Sequence, residues 1–232
     1  MRCCMMADGL PRDDLRVLFD ILSRGFRRVF LSYILFLMVL VVWLGVLGAF
    51  LLVGLTFEAL LGSGLEAFTI LGVVTALLAS VLLLVIAGYI FYRGAVDIKD
   101  GVARVGEPRV RSDLALGAEL LYIGGVLTLV GAVLTIVLVG VLILAVGNII
   151  ALIGIGVIAY RLRGVHPELE TPLNITLVGV ALHLLSYIPA LSIMLLPAVV
   201  LEIIGFRMVY TTSGRLLKEE GQPGVGGEST AS

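Results

Sequence analysis

From Leu114 to Tyr160 the chain runs for 47 residues with Glu119 as its only charge. Wound as a single α-helix, that stretch would be about 70 Å long, over twice the roughly 30 Å hydrocarbon thickness of a bilayer. Water offers no way to cover such a helix on every side. Lipid does, provided each peptide group finds its partner within its own helix. The stretch must therefore cross a membrane and return, and Gly140, near its middle, is the expected place for the turn. Val29–Gly54 and Ala67–Tyr92 are 26 residues each without a charge, enough for one tilted span apiece. Leu173–Tyr210 is 38 residues, about 57 Å as one helix. Two short spans with a turn near Pro189 suit it better, since proline disfavours helix at the residue before it. The expected fold is all-α: a polytopic integral membrane protein of about six transmembrane helices in three hairpins, near residues 29–54, 67–92, 114–138, 141–160, 173–189 and 191–210. Composition agrees, with 60% hydrophobic and 14% charged residues against about 45–50% and about 25% in soluble domains.

The cations test this count independently. Six Arg lie in residues 1–28, five Lys or Arg in 93–113, two in 161–172, and Arg207, Arg215 and Lys218 close the chain, which accounts for all 16. With six spans every one falls on the same side, and the positive-inside rule makes that side the cytoplasm, with both termini there. Five spans would move the last three cations outside. The chain thus divides into a cytoplasmic N-terminus, 1–28, a transmembrane domain, 29–212, and a tail, 213–232, whose Gly- and Ser-rich sequence predicts disorder. The first apolar run is too long for a signal-peptide core and is expected to stay as an anchor. A net charge of −1 gives no basic surface for nucleic acid.

Within the N-terminus, Leu15, Leu18, Phe19, Leu22 and Phe26 recur at helical spacing. They predict an amphipathic helix lying in the membrane interface, as a plain anchor or as an arm that senses lipid or a partner. Residues 93–113 and 161–172 are expected to be loops. Thr171 is expected to cap the fifth helix with Pro172 as its first residue. Ser63 and Glu66 suit a capping box for the second. Cys3 and Cys4, the only cysteines, are adjacent and unsuited to pairing; they offer acylation sites or sit in a dispensable leader.

Two glycine series carry packing information. Gly117, Gly124 and Gly131 repeat every seven residues on the third helix, and Gly140, Gly147 and Gly154 do so beside or within the fourth. Seven residues is close to two helical turns, so each series keeps to one face. Small faces let helix backbones approach closely in lipid, which predicts a tight antiparallel hairpin. A smooth pore lining is the other reading. Gly72, Ala76 and Ser80 form a similar face on the second helix.

Polar groups inside a bilayer are costly, and so mark candidate sites. The set is Glu119, Asn148, His183 and Glu202. His183 and Glu202 lie about 15 Å and about 12 Å from the inner ends of consecutive helices. They are therefore expected to meet at one depth, with Asn148 near that depth and Glu119 closer to the cytoplasm. The group suits an ion- or proton-coupling site, or interhelical hydrogen-bond glue of roughly 0.6 kcal/mol per contact. Catalysis finds less material. DGVAR at 100–104 lacks one spacer residue of a head-group phosphotransferase motif and the aspartates that should follow it. Nucleotide-loop, zinc-ligand and haem signatures are missing, so no cofactor, metal or catalytic residue is expected.

The segments GYIFYRGAVDIKD, GAELLYIGGVLTLVGAVLTIV and GIGVIAYRL resemble an uncharacterised family of small archaeal multi-pass membrane proteins. The resemblance spans roughly residues 68–210 and rests on glycine and aliphatic spacing. It implies a cell-membrane location and a helix number, but no functional residue. G-x-I-x-Y-R recurs at 88–93 and 156–161, as repeated hairpins or as ordinary interfacial anchors. The expected role is a small transporter or permeation protein. The alternative is a structural or accessory subunit, with a second copy or another membrane protein as partner in the bilayer; an intramembrane enzyme comes third.

Overall fold

The computed structural model describes residues 11–56 and 65–221. Among these the protein is entirely helical apart from short turns. Its helices are α1 (Arg12–Thr56), α2 (Leu65–Arg104), α3 (Pro108–Val133), α4 (Leu138–Leu162), α5 (Pro167–Ser186) and α6 (Leu195–Gly221). Short 3₁₀ segments occupy Leu134–Ile136 and Pro189–Met194. Six helical stretches are long and apolar enough to cross a membrane. Large side chains face outward along them: Leu78, Leu82, Leu142 and Leu196 are 62–65% exposed. An outer surface of this kind is at home in lipid and not in water.

Each helix packs on its neighbours in sequence, and α6 returns to pack on α1, so the six form a closed ring of three hairpins. The ring has two ends. One carries the N-terminal part of α1, the α2–α3 and α4–α5 links and the C-terminal part of α6; we call it the terminal end. The other carries the α3–α4 and α5–α6 turns and is called the turn end. Every Lys and Arg among the described residues lies toward the terminal end.

The helices overrun the apolar stretches that announce them. Residues 93–104 continue α2 and are not a loop, and the link to α3 is only residues 105–107; DGVAR is therefore helical. The cause lies across the bundle. The apolar face of Leu18, Phe19, Leu22 and Phe26 is buried in the same cluster as Ile98, Val102, Leu169 and Leu216. That face is covered by protein rather than lying on an interface, and α1 runs from it into the span without a break. Close crossings fix the register: a methyl on Gly25 would lie 2.3 Å from Ile98, and one on Gly101 would lie 2.1 Å from Ile21. Asp14 holds the link, accepting hydrogen bonds from Gly106 N (2.8 Å) and Glu107 N (2.9 Å) at the start of α3.

Three other boundaries differ from expectation. The turn between α3 and α4 falls at 134–137, and Gly140 lies inside α4. Helix α5 begins at Pro167, capped by His166, whose Nδ1 accepts from Glu168 N at 3.3 Å, while Pro172 is internal. His166–Pro167 offers the same cap-then-proline signal as Thr171–Pro172, and the acidic Glu168 and Glu170 then fall in the first turn, where the helix dipole favours them. The tail is helical as far as Gly221. Ser63, Cys3, Cys4 and residues 222–232 lie outside the described residues.

The glycines of α3 and α4 face one another along the whole hairpin. A Cβ on Gly124 would lie 2.5 Å from Ala151 N, one on Gly131 2.4 Å from Leu144 N, and one on Gly147 2.6 Å from Thr128 N. Gly117 and Gly154 are in mutual contact and Gly140 abuts the Leu134 backbone. Here backbone meets backbone, which only the absence of a side chain permits. Gly72 differs, with open space where its side chain would be, although Ser80 on the same face is buried.

Candidate functional site

A column of aromatic rings climbs the inner face of α1 at seven-residue spacing: Phe19, Phe26 and Tyr33. Phe19 meets the His166 ring edge-on at 5.9 Å. Phe26 and Tyr33 flank Phe206 of α6 at 5.8 and 5.0 Å. Below Tyr33, toward the terminal end, the ring interior is filled. Above it a cavity of about 890 Å³ opens within the turn-end half, inside the roughly 300–1,000 Å³ range of small-ligand sites. Phe36, Leu37 and Leu40 of α1, Leu144 of α4 and residues 192–199 form most of its wall. Tyr33, Thr128, Asn148 and His183 supply polar groups to its lining.

Behind that lining lies Glu202, fully buried. His183 Nδ1 stands 3.0 and 3.1 Å from its two carboxylate oxygens, at 6% exposure. Two glycines bring α5 and α6 close enough for this. A methyl on Gly179, one turn before His183, would lie 2.9 Å from both the backbone and the side chain of Glu202. One on Gly205, three residues after Glu202, would strike Thr176. The far side of the imidazole continues the network: His183 Nε2 is 3.5 Å from Asn148 Nδ2, and Asn148 donates to Tyr187 Oη at 2.9 Å. The Tyr187 ring stacks on the imidazole at 5.9 Å and 10°.

One imidazole nitrogen therefore faces both oxygens of the Glu202 carboxyl group and the other faces the Asn148 amide. Either nitrogen can carry the proton, so the pair can exist with or without an extra proton. An imidazole protonated on both nitrogens would call for the Asn148 oxygen in place of its nitrogen.

Two buried hydroxyls, Tyr33 Oη and Thr128 Oγ1, belong to the cavity lining, with residue exposures of 5% and 2%. The Tyr33 hydroxyl lies close enough to Glu202 to act on its carboxyl group. Thr128 Oγ1 has no hydrogen-bond partner among the described residues, and a buried hydroxyl without a partner is uncommon and costly.

Of the residues singled out in the sequence, the fold brings His183, Glu202 and Asn148 together. It sets Glu119 apart, on the outer surface of α3, where it pairs with Lys99 at 3.3 Å. Depth along a helix says nothing of direction around it, and Glu119 points away from the ring. Tyr33, Tyr187, Thr128, Gly179 and Gly205 join the site without having been marked by sequence. Their signal is helical phase: Gly179 is one turn from His183, and Tyr33 continues the series of Phe19 and Phe26. Among the described residues no cluster of His, Cys, Asp or Glu is suited to hold a metal ion. No family model, characterised protein or solved structure matches the chain, so the roles of these residues rest on geometry alone.

Proposed function

We propose that this protein is a small multi-pass membrane transporter, with both termini in the cytoplasm, in which the His183–Glu202 pair couples passage of a substrate to protons. The observation that carries this reading is the placement of a buried acid–imidazole pair directly behind the lining of a ligand-sized cavity. A pair serving only as glue needs no chamber beside it. The orientation is supported by the location of the cations at the terminal end. In the proposed cycle, a proton taken up at Nε2 turns Asn148, and the Asn148–Tyr187 link carries that change to the α5–α6 turn. Tyr187 immediately precedes the Ile188 backbone that opens the 3₁₀ turn.

The test is reconstitution of the purified protein alone into liposomes enclosing a pH-sensitive dye. A pH step should drive proton movement above that of empty vesicles when substrate is present. His183→Gln and Glu202→Gln should each remove the coupled component. Unchanged flux in both variants would refute coupling by this pair.

A second reading has its own observation. Gly45, Gly48 and Gly72 have open space where a side chain would project, a small-residue surface suited to another helix. An accessory subunit would use that surface for a partner protein or a second copy of this chain. It would co-purify with its partner in mild detergent and show no flux by itself.

A further inference from the structure

The charge balance of the site points to a substrate class, an inference that rests on the transport reading above. Glu202 is enclosed, and the titratable groups acting on it are His183 from α5, Tyr187 just beyond its end and Tyr33 from α1. Helix α4 contributes only the amide of Asn148 and α3 only the hydroxyl of Thr128. Among the described residues the cavity lining holds no Lys and no Arg. With the imidazole neutral and Glu202 ionised, the site carries one negative charge and, among the described residues, no positive one. An isolated anion in a low-dielectric interior is strongly unfavourable, and a counter-charge removes the cost. Only two sources exist: a proton, or a cation in the adjacent cavity.

We propose that the cavity binds an apolar organic monocation, and that this cation and a proton neutralise Glu202–His183 in alternation. Shape and chemistry agree. The wall of Phe36, Leu37, Leu40, Leu144 and Ile193 suits an apolar body. Tyr33 and Phe36 belong to the lining, and aromatic rings favour a cation. The Tyr33 hydroxyl belongs to the same lining, beside Glu202. An anionic amphiphile finds the reverse of each feature: no cationic side chain to receive it, and a carboxylate behind the lining. One proton leaves as one cation enters, so the charge of the occupied site is the same in both states.

Tetraphenylphosphonium and tetraphenylborate separate charge from shape, since they are nearly isosteric and opposite in sign. Equilibrium dialysis against the purified full-length protein in detergent should show saturable binding of the phosphonium and none of the borate. Each unit of acidification within the titration range of the site should weaken phosphonium binding about tenfold, as competition for one site requires. In weakly buffered solution, one proton should be released per cation bound, a measurement that needs no variant. Glu202→Gln should lose phosphonium binding, and Glu202→Asp should retain it at lower affinity, which guards against a folding defect in the first. Equal binding of both probes, or phosphonium binding without proton release, would overturn the proposal. Binding with proton release but no flux in liposomes would uphold this site and refute transport. Proton-coupled flux of a neutral solute with no phosphonium binding would uphold transport and refute the cation.

Discussion

The two halves of the ring are built from the same helices and have opposite interiors. Toward the terminal end, Phe19, Phe26, Phe91, Ile98, Leu152 and Phe206 are all at most 2% exposed and fill the space between helices. Toward the turn end, the described helices border an open cavity, and Leu40 on its wall is 40% exposed. The polar network lies at the boundary. The contrast teaches where stability and function separate: the filled half holds six helices in register, so the hollow half is left free to hold something else. Helix–helix contact in lipid depends on packing, because the surrounding tails are as apolar as the core. A half that forgoes packing must be supported by one that does not.

Truncating one side chain in each half tests this most directly. Phe26→Ala should destabilise the protein by about 3–5 kcal/mol through the hole it leaves. Leu40→Ala should cost under about 1 kcal/mol, since it enlarges a space already present. Thermal or denaturant unfolding in detergent measures both, and equal losses would mean that the chamber is packed in the folded protein. At the boundary, His183→Leu should cost about 3 kcal/mol because it strands the Glu202 carboxylate. His183→Leu combined with Glu202→Leu should recover much of that loss, and a double variant no more stable than the single would show that the pair is not an isolated electrostatic unit. Farther into the filled half, Asp14→Ala removes two hydrogen bonds at the head of α3. A loss of about 1 kcal/mol is expected, with faster amide exchange at Gly106 and Glu107. On the outer surface, Glu119→Gln should change stability by less than about 0.5 kcal/mol, as exposed ion pairs do, and should leave any proton flux intact.

Much of this plan was legible in the sequence. The number of spans follows from length and hydropathy, because a helix in lipid has few alternatives. The meeting of His183 and Glu202 follows from depth, because consecutive antiparallel helices place equal depths side by side. Helix ends were less legible. Residues 93–104 are charged and read as a loop, yet they stay helical because α1 supplies an apolar face for Ile98 and Val102 to cover. The amphipathic face of α1 was visible, but not what it packs on. Glu119 was misplaced and Tyr33 missed for a common reason: both depend on the angle around a helix axis, which only the assembled ring defines.

The closure of α6 on α1 bears on how the protein is made. Helix α1 leaves the ribosome first, and its Phe26 and Tyr33 have no Phe206 to meet until the final helix has been synthesised. Four intervening helices must be inserted while that aromatic column stays uncovered. A chain stopped short of α6 would lack Glu202 as well as its closing contacts, so an incomplete product would be both open to membrane proteases and devoid of the acid on which the proposed chemistry depends. The docking of α6 on α1 thus closes the ring and delivers Glu202 in the same event.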